Sequence, residues 1–356
     1  MRKIFKMALV VFLLIGLVAC TTPKKDDEVA TDKISIGFVT DIGGIDDKSF
    51  NQTSYEGIKK YAAEAGLVEG EDYKYLISTQ AADYEPNLDT FANEEVDIIV
   101  AAGFLFADSI AATVEKYPDQ KILIIDVDWL EGENLQQAVF AEHEGSFLVG
   151  VVAGLTAKEA GKDTVGFVLG MFNVTMDKFW AGYQQGVWAV CPECTILYDD
   201  ANDFGSPELG KTLAAKQYNA GAYIIYHAAG GTGNGVISEA AERRAAGEDV
   251  WVCGVDTDQF IYGIYNDDGD SAVLTSMLKR VDVAAYNAVK SVADGTFEGG
   301  VIRYTLATDG VGIPAENPNV SADILAQVEE YKAKIISGEI VVSEVGIKAG
   351  EDPRIK

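Results

Sequence analysis

The stretch VTDIGGIDDKSFNQ, residues 39–52, joins an apolar run to a helix-like run near the start of the chain. The apolar run covers residues 34–39, and residues 49–65 repeat apolar side chains at the spacing of an amphipathic helix. The stretch itself contains three carboxylates, two glycines, one asparagine and one phenylalanine. It therefore predicts a strand, a polar loop and a helix, and the loop could hold a metal ion, a phosphate or a neutral polar molecule.

Short apolar runs alternate with helix-length amphipathic runs along most of the chain. The strands predicted in this way cover residues 34–39, 73–78, 97–102, 121–126, 164–169, 195–198, 223–227, 250–255 and 272–277. Such alternation is typical of α/β folds, in which right-handed crossovers place helices over parallel sheets. It runs twice, before residue 127 and after residue 139, which predicts two similar lobes. The last strand and a helix at 281–293 follow the second set, so the chain is expected to cross back and leave several hinge strands.

The N-terminus carries the pattern of an export signal. Three cations within the first six residues precede an apolar run at 7–18, which is too short for a membrane-spanning helix. The run ends in LVAC, residues 17–20, which resembles the bacterial lipoprotein signal, where the chain is cut before a cysteine that becomes lipidated. These features predict a signal peptide at 1–19, lipidation of Cys20 and a flexible tether at 20–32. An ordinary signal peptide that contains a cysteine is the alternative.

The signal places the mature chain outside the cytoplasm, anchored to the cell membrane through acyl chains. About 320 residues follow the tether, enough for two domains of ordinary size, and 48% hydrophobic residues can fill their cores. The net charge is −28 and becomes more negative once the signal peptide is removed. Such a surface repels nucleic acid, so we expect no nucleic-acid partner.

Cys191 and Cys194 form a single Cys-Pro-Glu-Cys motif. A zinc site would need further ligands, but the chain has two histidines and no second CxxC pair. A thioredoxin-like redox pair would open a helix, whereas this pair precedes the strand-like run at 195–198. In an oxidising compartment a local disulfide is the favoured interpretation. Cys253 lies in an apolar run and is predicted to be a buried thiol.

Polar residues follow several of the predicted strands. They are the stretch at 39–52, DVDW at 126–129, GGTGNG at 230–235, DTDQ at 256–259 and Lys279. In open parallel sheets, ligands bind beyond the carboxyl ends of the strands. These segments are therefore expected to meet at a binding cleft.

Four motifs occur in a fixed order and together carry a family resemblance. They are GIDDKSFNQ at 44–52, AAGGTGNGV at 228–236, GVDTDQ at 254–259 and TSMLK at 275–279. The chain resembles the basic membrane protein family of bacterial lipoproteins, which are purine nucleoside receptors of ABC importers. The resemblance covers essentially the whole mature chain.

The resemblance implies an α/β, two-lobed periplasmic-binding fold of the first type, with hinge strands joining two parallel sheets that are covered by helices. We place lobe 1 at 33–140 and about 258–302, and lobe 2 at 141–257 and about 303–356. A protein of this kind is not an enzyme and needs no cofactor or metal ion. It captures a purine nucleoside, such as guanosine, adenosine or inosine, and delivers it to an ABC transporter permease.

The resemblance also implies roles for single residues. Phe50 and Phe204 correspond to aromatic rings that sandwich the purine, and Asp126 to the carboxylate that binds the edge of the base. Asp256 and Lys279 correspond to the pair that holds the ribose hydroxyls. The remaining lining positions implied by the resemblance are Asn51, Asp41, Gly231 and Gly233. Stacking on an aromatic ring contributes roughly 1–3 kcal/mol per base, and an ionised carboxylate only accepts hydrogen bonds.

Other interpretations of the same residues remain open. One of Asp46 and Asp47 is expected to cap the helix that follows them. The glycine run could suggest a dinucleotide fingerprint, but Val236 stands where that fingerprint requires its third glycine. A tethered sensor of the same fold is also compatible with the sequence.

A calcium-dependent nucleoside hydrolase is the main enzymatic alternative. Hydrolases of that kind also have an Asp- and Gly-rich loop after the first strand. However, Val39 stands two residues before Asp41, where their motif has an aspartate. Calcium needs six to eight converging oxygens, of which this loop supplies only some.

Overall fold

The strand, loop and helix predicted around residues 39–52 begin the first of two sheets. The computed structural model describes residues 33–356, so the predicted signal peptide, tether and Cys20 lie outside the described residues. Within this range the strands are β1 (Ile36–Val39), β2 (Tyr73–Leu76), β3 (Ile98–Ala101), β4 (Ile122–Ile125), β5 (Leu135–Phe140), β6 (Thr164–Leu169), β7 (Thr195–Asp200), β8 (Ile224–Ala228), β9 (Trp251–Asp256), β10 (Val273–Lys279), β11 (Gly300–Tyr304) and β12 (Val311–Gly312). The α-helices are α1 (Phe50–Ala65), α2 (Tyr84–Asn93), α3 (Ala107–Lys116), α4 (Glu142–Glu159), α5 (Val174–Val190), α6 (Pro207–Asn219), α7 (Gly230–Ala245), α8 (Val281–Ala293) and α9 (Ala322–Ile336). None of these helices is long and apolar enough to cross a bilayer.

The first sheet has the strand order β11-β5-β4-β3-β1-β2, and all neighbouring strands run parallel. β1, β3 and β4 are buried along their whole length. Helices α1 and α8 cover one face of the sheet, and α2 and α3 cover the other. A strand covered on both faces has no solvent side, which explains the continuous apolar sequences of β3 and β4.

The second sheet has the order β12-β10-β9-β8-β6-β7, and only the short edge strand β12 runs antiparallel to its neighbour. Helices α4 and α5 pack on one face, and α6 and α7 pack on the other. The order repeats that of the first sheet, with β6 in the place of β1 and β9 in the place of β4. The two-lobed α/β architecture predicted from the element order is therefore confirmed.

The chain crosses between the sheets three times within residues 33–356. It leaves β5 for α4, returns from β10 to α8, and leaves β11 for β12. The predicted boundary near residue 258 is wrong, because β10 pairs with β9 in the second sheet and the chain returns to lobe 1 only after Lys279. The reason is that β10 continues the buried parallel ladder beside β9, with Met277 opposite Val255. Lobe 1 here means the first sheet with its helices, and lobe 2 means the second.

Cys191 and Cys194 are joined by a disulfide in the turn between α5 and β7. The carbonyl of Cys194 accepts a hydrogen bond from Trp188 Nε1 at 3.0 Å. The guanidinium of Arg354 lies 3.8 Å from the centre of the Trp188 ring, and the backbone N–H of Ile196 donates to the Arg354 carbonyl at 2.7 Å. The disulfide turn therefore lies where the C-terminal residues pair with the free edge of β7. Cys253 is buried, and burial raises the pKa of its thiol to about 12.

Candidate functional site

A narrow cavity, with about 50 Å³ of space for water-sized molecules, lies between the lobes at the carboxyl ends of strands from both sheets. Lobe 1 contributes Asp41, Gly43, Asp47, Phe50, Asn51, Gly103, Phe104 and Asp126 to its wall. Lobe 2 contributes Met176, Phe179, Phe204, Ala228, Ala229, Gly230, Val255, Asp256 and Lys279.

The loop between β1 and α1 is fixed by the carboxylate of Asp47. Its Oδ1 accepts hydrogen bonds from the backbone N–H groups of Ser49 and Gln52, both at 3.0 Å, and its Oδ2 accepts from that of Asn51 at 2.8 Å. These are unpaired donors of the first helical turn, so Asp47 is the helix cap. Asp46, the other candidate, is exposed.

Asp41 and Asn51 form a second fixed pair in this loop. Asn51 Nδ2 donates to Asp41 Oδ1 at 2.7 Å, and the Asp41 backbone N–H donates to Asn51 Oδ1 at 3.1 Å. Asn51 Nδ2 also lies 3.0 Å from Asp47 Oδ2, so both amide hydrogens have protein acceptors. Burial raises the pKa of Asp41 to about 6, although the bond from Asn51 opposes the shift. The Asn51 amide therefore orients the two carboxylates rather than offering free hydrogen-bonding groups to the cavity.

Aromatic side chains from both lobes line the cavity. Phe50 is the first residue of α1, and Phe204 precedes α6 in lobe 2. The ring of Phe104 meets that of Phe204 edge to face, with centroids 6.1 Å apart. Phe179 and Met176, on the first turns of α5, complete the apolar wall. These last three residues were not predicted, although Phe104 follows β3 and the α5 pair follows β6 in the way that Phe50 follows β1.

One buried lysine and several buried carboxylates form the polar side of the cavity. Lys279 Nζ lies 2.7 Å from Asp126 Oδ2 across the cleft and 3.1 Å from Glu142 Oε1 in its own lobe. Lys279 is 1% exposed. Its burial lowers the pKa, but Asp126, Glu142 and Asp256 together raise it above the ordinary lysine value. The ammonium therefore stays charged, and it lies 5.1 Å from the centre of the Phe50 ring.

Glu142 is the member of this cluster that sequence reasoning missed. It is the first residue of α4, directly after the chain crosses from β5 into lobe 2. Burial raises the pKa of Glu142 to about 7, and the positive charge of Lys279 opposes the shift. The sequence of β5, LQQAVF, contains two glutamines and has no continuous apolar run, so the strand was not predicted. The position of Glu142 just beyond the end of a strand could therefore not be predicted either.

Asp126 and Asp256 occupy equivalent places in the two sheets. Asp126 directly follows β4 and Asp256 ends β9, with backbone φ angles of 68° and 66°. Left-handed backbone is uncommon for residues other than glycine and marks strained functional positions. Asp256 accepts a hydrogen bond from the hydroxyl of Ser49 across the cleft, and burial raises its pKa to about 7 against the opposing charge of Lys279.

The second carboxylate oxygen of Asp126 has no hydrogen-bond donor among residues 33–356, although it is fully buried. Buried acceptors in proteins are nearly always paired, and an exception needs an explanation. A ligand N–H or O–H group in the cavity would supply the missing donor.

Seven of the nine predicted binding residues line the cavity: Asp41, Phe50, Asn51, Asp126, Phe204, Asp256 and Lys279. The prediction that Gly231 and Gly233 line it is corrected. A side chain on Gly231 would meet the Phe204 carbonyl at 3.0 Å, and one on Gly233 would meet the His227 ring at 2.1 Å. Helix α7 begins at Gly230, so only its first residue faces the cavity and the next turn packs into lobe 2.

No group of three or more His, Cys, Asp or Glu side chains with the arrangement of a metal site occurs within residues 33–356. The three carboxylates of the 39–52 stretch do not converge, because Asp47 caps α1, Asp41 pairs with Asn51 and Asp46 points to solvent. The loop therefore lacks the oxygen cluster that the calcium-dependent hydrolase hypothesis requires.

Comparison with known proteins agrees with this geometry. Residues 34–345 match the Bmp family, described as "ABC transporter substrate-binding protein PnrA-like". The chain is 40% identical over 356 residues to the CD4+ T-cell-stimulating antigen of Listeria innocua, covering 96% of this chain and 99% of that one. It is 33% identical over 322 residues to the ABC transporter nucleoside-binding protein BmpA of Lactococcus lactis, covering 88% and 90%.

A crystal structure of ABC transporter system solute-binding proteins from Aeropyrum pernix superposes with a TM-score of 0.78. It is 30% identical and covers 86% of this chain and 92% of that one. This likeness confirms the periplasmic-binding architecture. With two lobes, a cavity between them and a family match over nearly the whole described chain, this protein belongs to the Bmp family of ABC transporter substrate-binding proteins.

Proposed function

We propose that this protein is a lipid-anchored receptor that captures purine nucleosides and delivers them to an ABC transporter permease. The observation that carries the proposal is the unpaired, buried oxygen of Asp126, in a cavity that is also lined by aromatic rings from both lobes and by Lys279 and Asp256. Such a cavity suits a flat, uncharged ligand that has hydrogen-bond donors on one edge and hydroxyl groups on a sugar. The name of the Lactococcus lactis relative supports a nucleoside as the ligand.

The base is held by Phe50, Phe204 and Asp126. The two rings come from opposite lobes, so each can cover one face of a purine when the lobes close. Stacking contributes roughly 1–3 kcal/mol per base. The free oxygen of Asp126 accepts a hydrogen bond from an N–H group at the edge of the base, as an ionised carboxylate can only accept.

The ribose is held by Asp256 and Lys279. The carboxylate accepts hydrogen bonds from sugar hydroxyls, and the ammonium donates to their oxygens. Both groups are buried, so a ligand that lacks a hydroxyl loses hydrogen bonds to groups that water cannot reach. This arrangement favours ribonucleosides over 2′-deoxynucleosides.

Cys20 supplies the membrane anchor in this proposal, and the receptor acts outside the cytoplasm. The protein has no catalytic role. Incubation with inosine and calcium should return the nucleoside intact. Release of free ribose at an enzymic rate would instead favour the hydrolase.

The direct test is mass spectrometry of the small molecule that copurifies with the protein and is released by denaturation. A purine nucleoside is the expected result. A different compound, together with no calorimetric binding of guanosine, adenosine or inosine, would contradict the proposal.

A further inference from the structure

Two side-chain amides of lobe 2 bind consecutive carbonyl groups of the loop between β1 and α1 in lobe 1. Asn234 Nδ2 donates to the carbonyl of Asp47 at 3.0 Å, and Gln259 Nε2 donates to the carbonyl of Lys48 at 2.9 Å. Asn234 lies on the first turns of α7, and Gln259 follows β9. Neither residue lines the cavity.

The Gln259 amide is held rigidly by its own lobe. The side chain is fully buried, and its Oε1 accepts a hydrogen bond from the Val255 backbone N–H at 2.9 Å. Its backbone N–H donates to Ser276 Oγ at 3.1 Å. The orientation of Nε2 towards lobe 1 is therefore fixed before the lobes meet.

The acceptor side is also specialised. Lys48 has a left-handed backbone, with φ at 54°, and its side-chain ammonium lies 5.0 Å from the centre of the Tyr262 ring in lobe 2. The same loop carries the Asp47 cap and leads into Phe50, which lines the cavity. Hydrogen bonds to the carbonyl groups of this loop therefore also help to position the Phe50 ring.

We propose that Asn234 and Gln259 form a clamp that holds the lobes together from outside the cavity and so sets how long a bound ligand stays. Both hydrogen bonds join the two lobes, so they stabilise the closed arrangement and contribute nothing once the lobes separate. Both are positioning residues, since neither touches the ligand. The identity of the ligand rests on the proposed function, whereas the clamp itself does not.

Two variants remove one donor each. Gln259→Glu keeps the oxygen that accepts from Val255 but places a second acceptor against the Lys48 carbonyl. Asn234→Ala removes the other donor and suits the helix in which it lies. Asn319→Asp is the matched control, because Asn319 Nδ2 donates to the Ser271 and Val273 carbonyls within lobe 2 and to no lobe 1 group.

The first measurement is the dissociation rate of guanosine by stopped-flow fluorescence. Each clamp variant should release guanosine about tenfold or more faster than wild type, because a partly buried carbonyl loses its donor. The association rate should change by less than about threefold, since most effects of this kind fall on dissociation. The control should keep the wild-type dissociation rate. Wild-type rates in both clamp variants, or an equal acceleration in the control, would overturn the clamp. If Gln259→Glu fails to fold, Asn234→Ala decides.

The second measurement separates the clamp from the choice of ligand. Small-angle X-ray scattering of dialysed protein should give a larger radius of gyration for the clamp variants than for wild type and the control. If wild type binds no guanosine, this difference still supports the clamp while the nucleoside proposal fails. If wild type binds no guanosine and the clamp variants have the same radius of gyration as wild type, both the nucleoside proposal and the clamp are overturned.

Discussion

At the scale of single residues, the site depends on one buried cation shared by carboxylates of both lobes. Lys279 contacts Asp126 in lobe 1 and Glu142 in lobe 2, and its charge also acts on Asp256. Removing one member of a buried ionic group leaves the others uncompensated, which costs far more than losing an exposed ion pair. The same side chains therefore line the ligand cavity, join the two lobes and balance each other's charge.

Lys279→Met should weaken guanosine binding by more than about tenfold, because the ribose loses its donor and three buried carboxylates lose their cation. Lys290→Met is the control, since Lys290 forms an exposed pair with Asp294 on α8. Calorimetry at neutral pH measures both. Wild-type affinity in the Lys279 variant would remove the ribose site from the proposal.

The buried carboxyl groups also predict how stability depends on pH. Burial raises the pKa of Asp41 and Asp47 to about 6 and that of Glu142 and Asp256 to about 7, whereas unfolded carboxyl groups titrate near 4. The folded state then binds more protons than the unfolded state, so the free energy of unfolding falls as pH rises from about 5 to 7.5. Burial lowers the pKa of His227 to about 4, so this residue makes the free energy of unfolding rise between about pH 4 and pH 6.5. It is one group against four carboxyl groups, so the net change is still a fall.

Urea unfolding at several pH values measures this dependence, and Asp256→Asn should flatten it. A free energy of unfolding that increases with pH over this range would contradict the assignment of raised pKa values to these carboxyl groups.

At the scale of secondary structure, the loop between β1 and α1 connects several functions. The Asp47 carboxylate caps the helix, the Asp47 and Lys48 carbonyl groups accept hydrogen bonds from lobe 2, and Asp41, Gly43 and Asp47 line the cavity. The strand, the loop and the cap could be predicted from residues 39–52 because each has a local sequence signal. The hydrogen bonds from Asn234 and Gln259 to its carbonyl groups could not be predicted, because every residue has a backbone carbonyl and the sequence does not show which ones accept.

Prediction at this scale failed for strands that lack the buried, continuous apolar sequence of the central strands. β5 contains two glutamines, and β11 is largely exposed, so neither was predicted. The error in the Gly231 and Gly233 assignments has a different cause. A glycine-rich motif after a strand shows where backbone comes close to other groups, but not whether those groups belong to the ligand or to the protein.

Gly205→Ala tests how tightly the elements of the two lobes must approach. A side chain on Gly205 in lobe 2 would lie 2.9 Å from the carbonyl of Ile42 in lobe 1, so the lobes could not close fully. Overpacking of this kind costs about 1–3 kcal/mol, which corresponds to guanosine binding at least about fivefold weaker. Gly312→Ala is the control, because a side chain there meets no atom within 4 Å. Equal affinity of both variants and wild type would show that this contact does not limit closure.

At the scale of the whole molecule, two sheets with one strand order place equivalent carboxylates, Asp126 and Asp256, on either side of the cavity. The element order predicted two lobes, and the family resemblance implied the binding roles of the seven residues that line the cavity. The lobe boundary was misplaced because β10 follows the second set of strands in the sequence and was assigned to lobe 1. In the structure it pairs with β9 in the second sheet. Pairing between distant strands follows from the folded topology and not from local pattern.

We propose that the closed lobes recognise both the base and the ribose of a nucleoside. Isothermal titration calorimetry of the wild-type protein with guanosine and with 2′-deoxyguanosine tests it most directly. Guanosine should bind at least about tenfold more tightly, because the deoxy sugar forms fewer hydrogen bonds with the buried groups of Asp256 and Lys279. Equal affinities, or no binding of either compound, would contradict the claim.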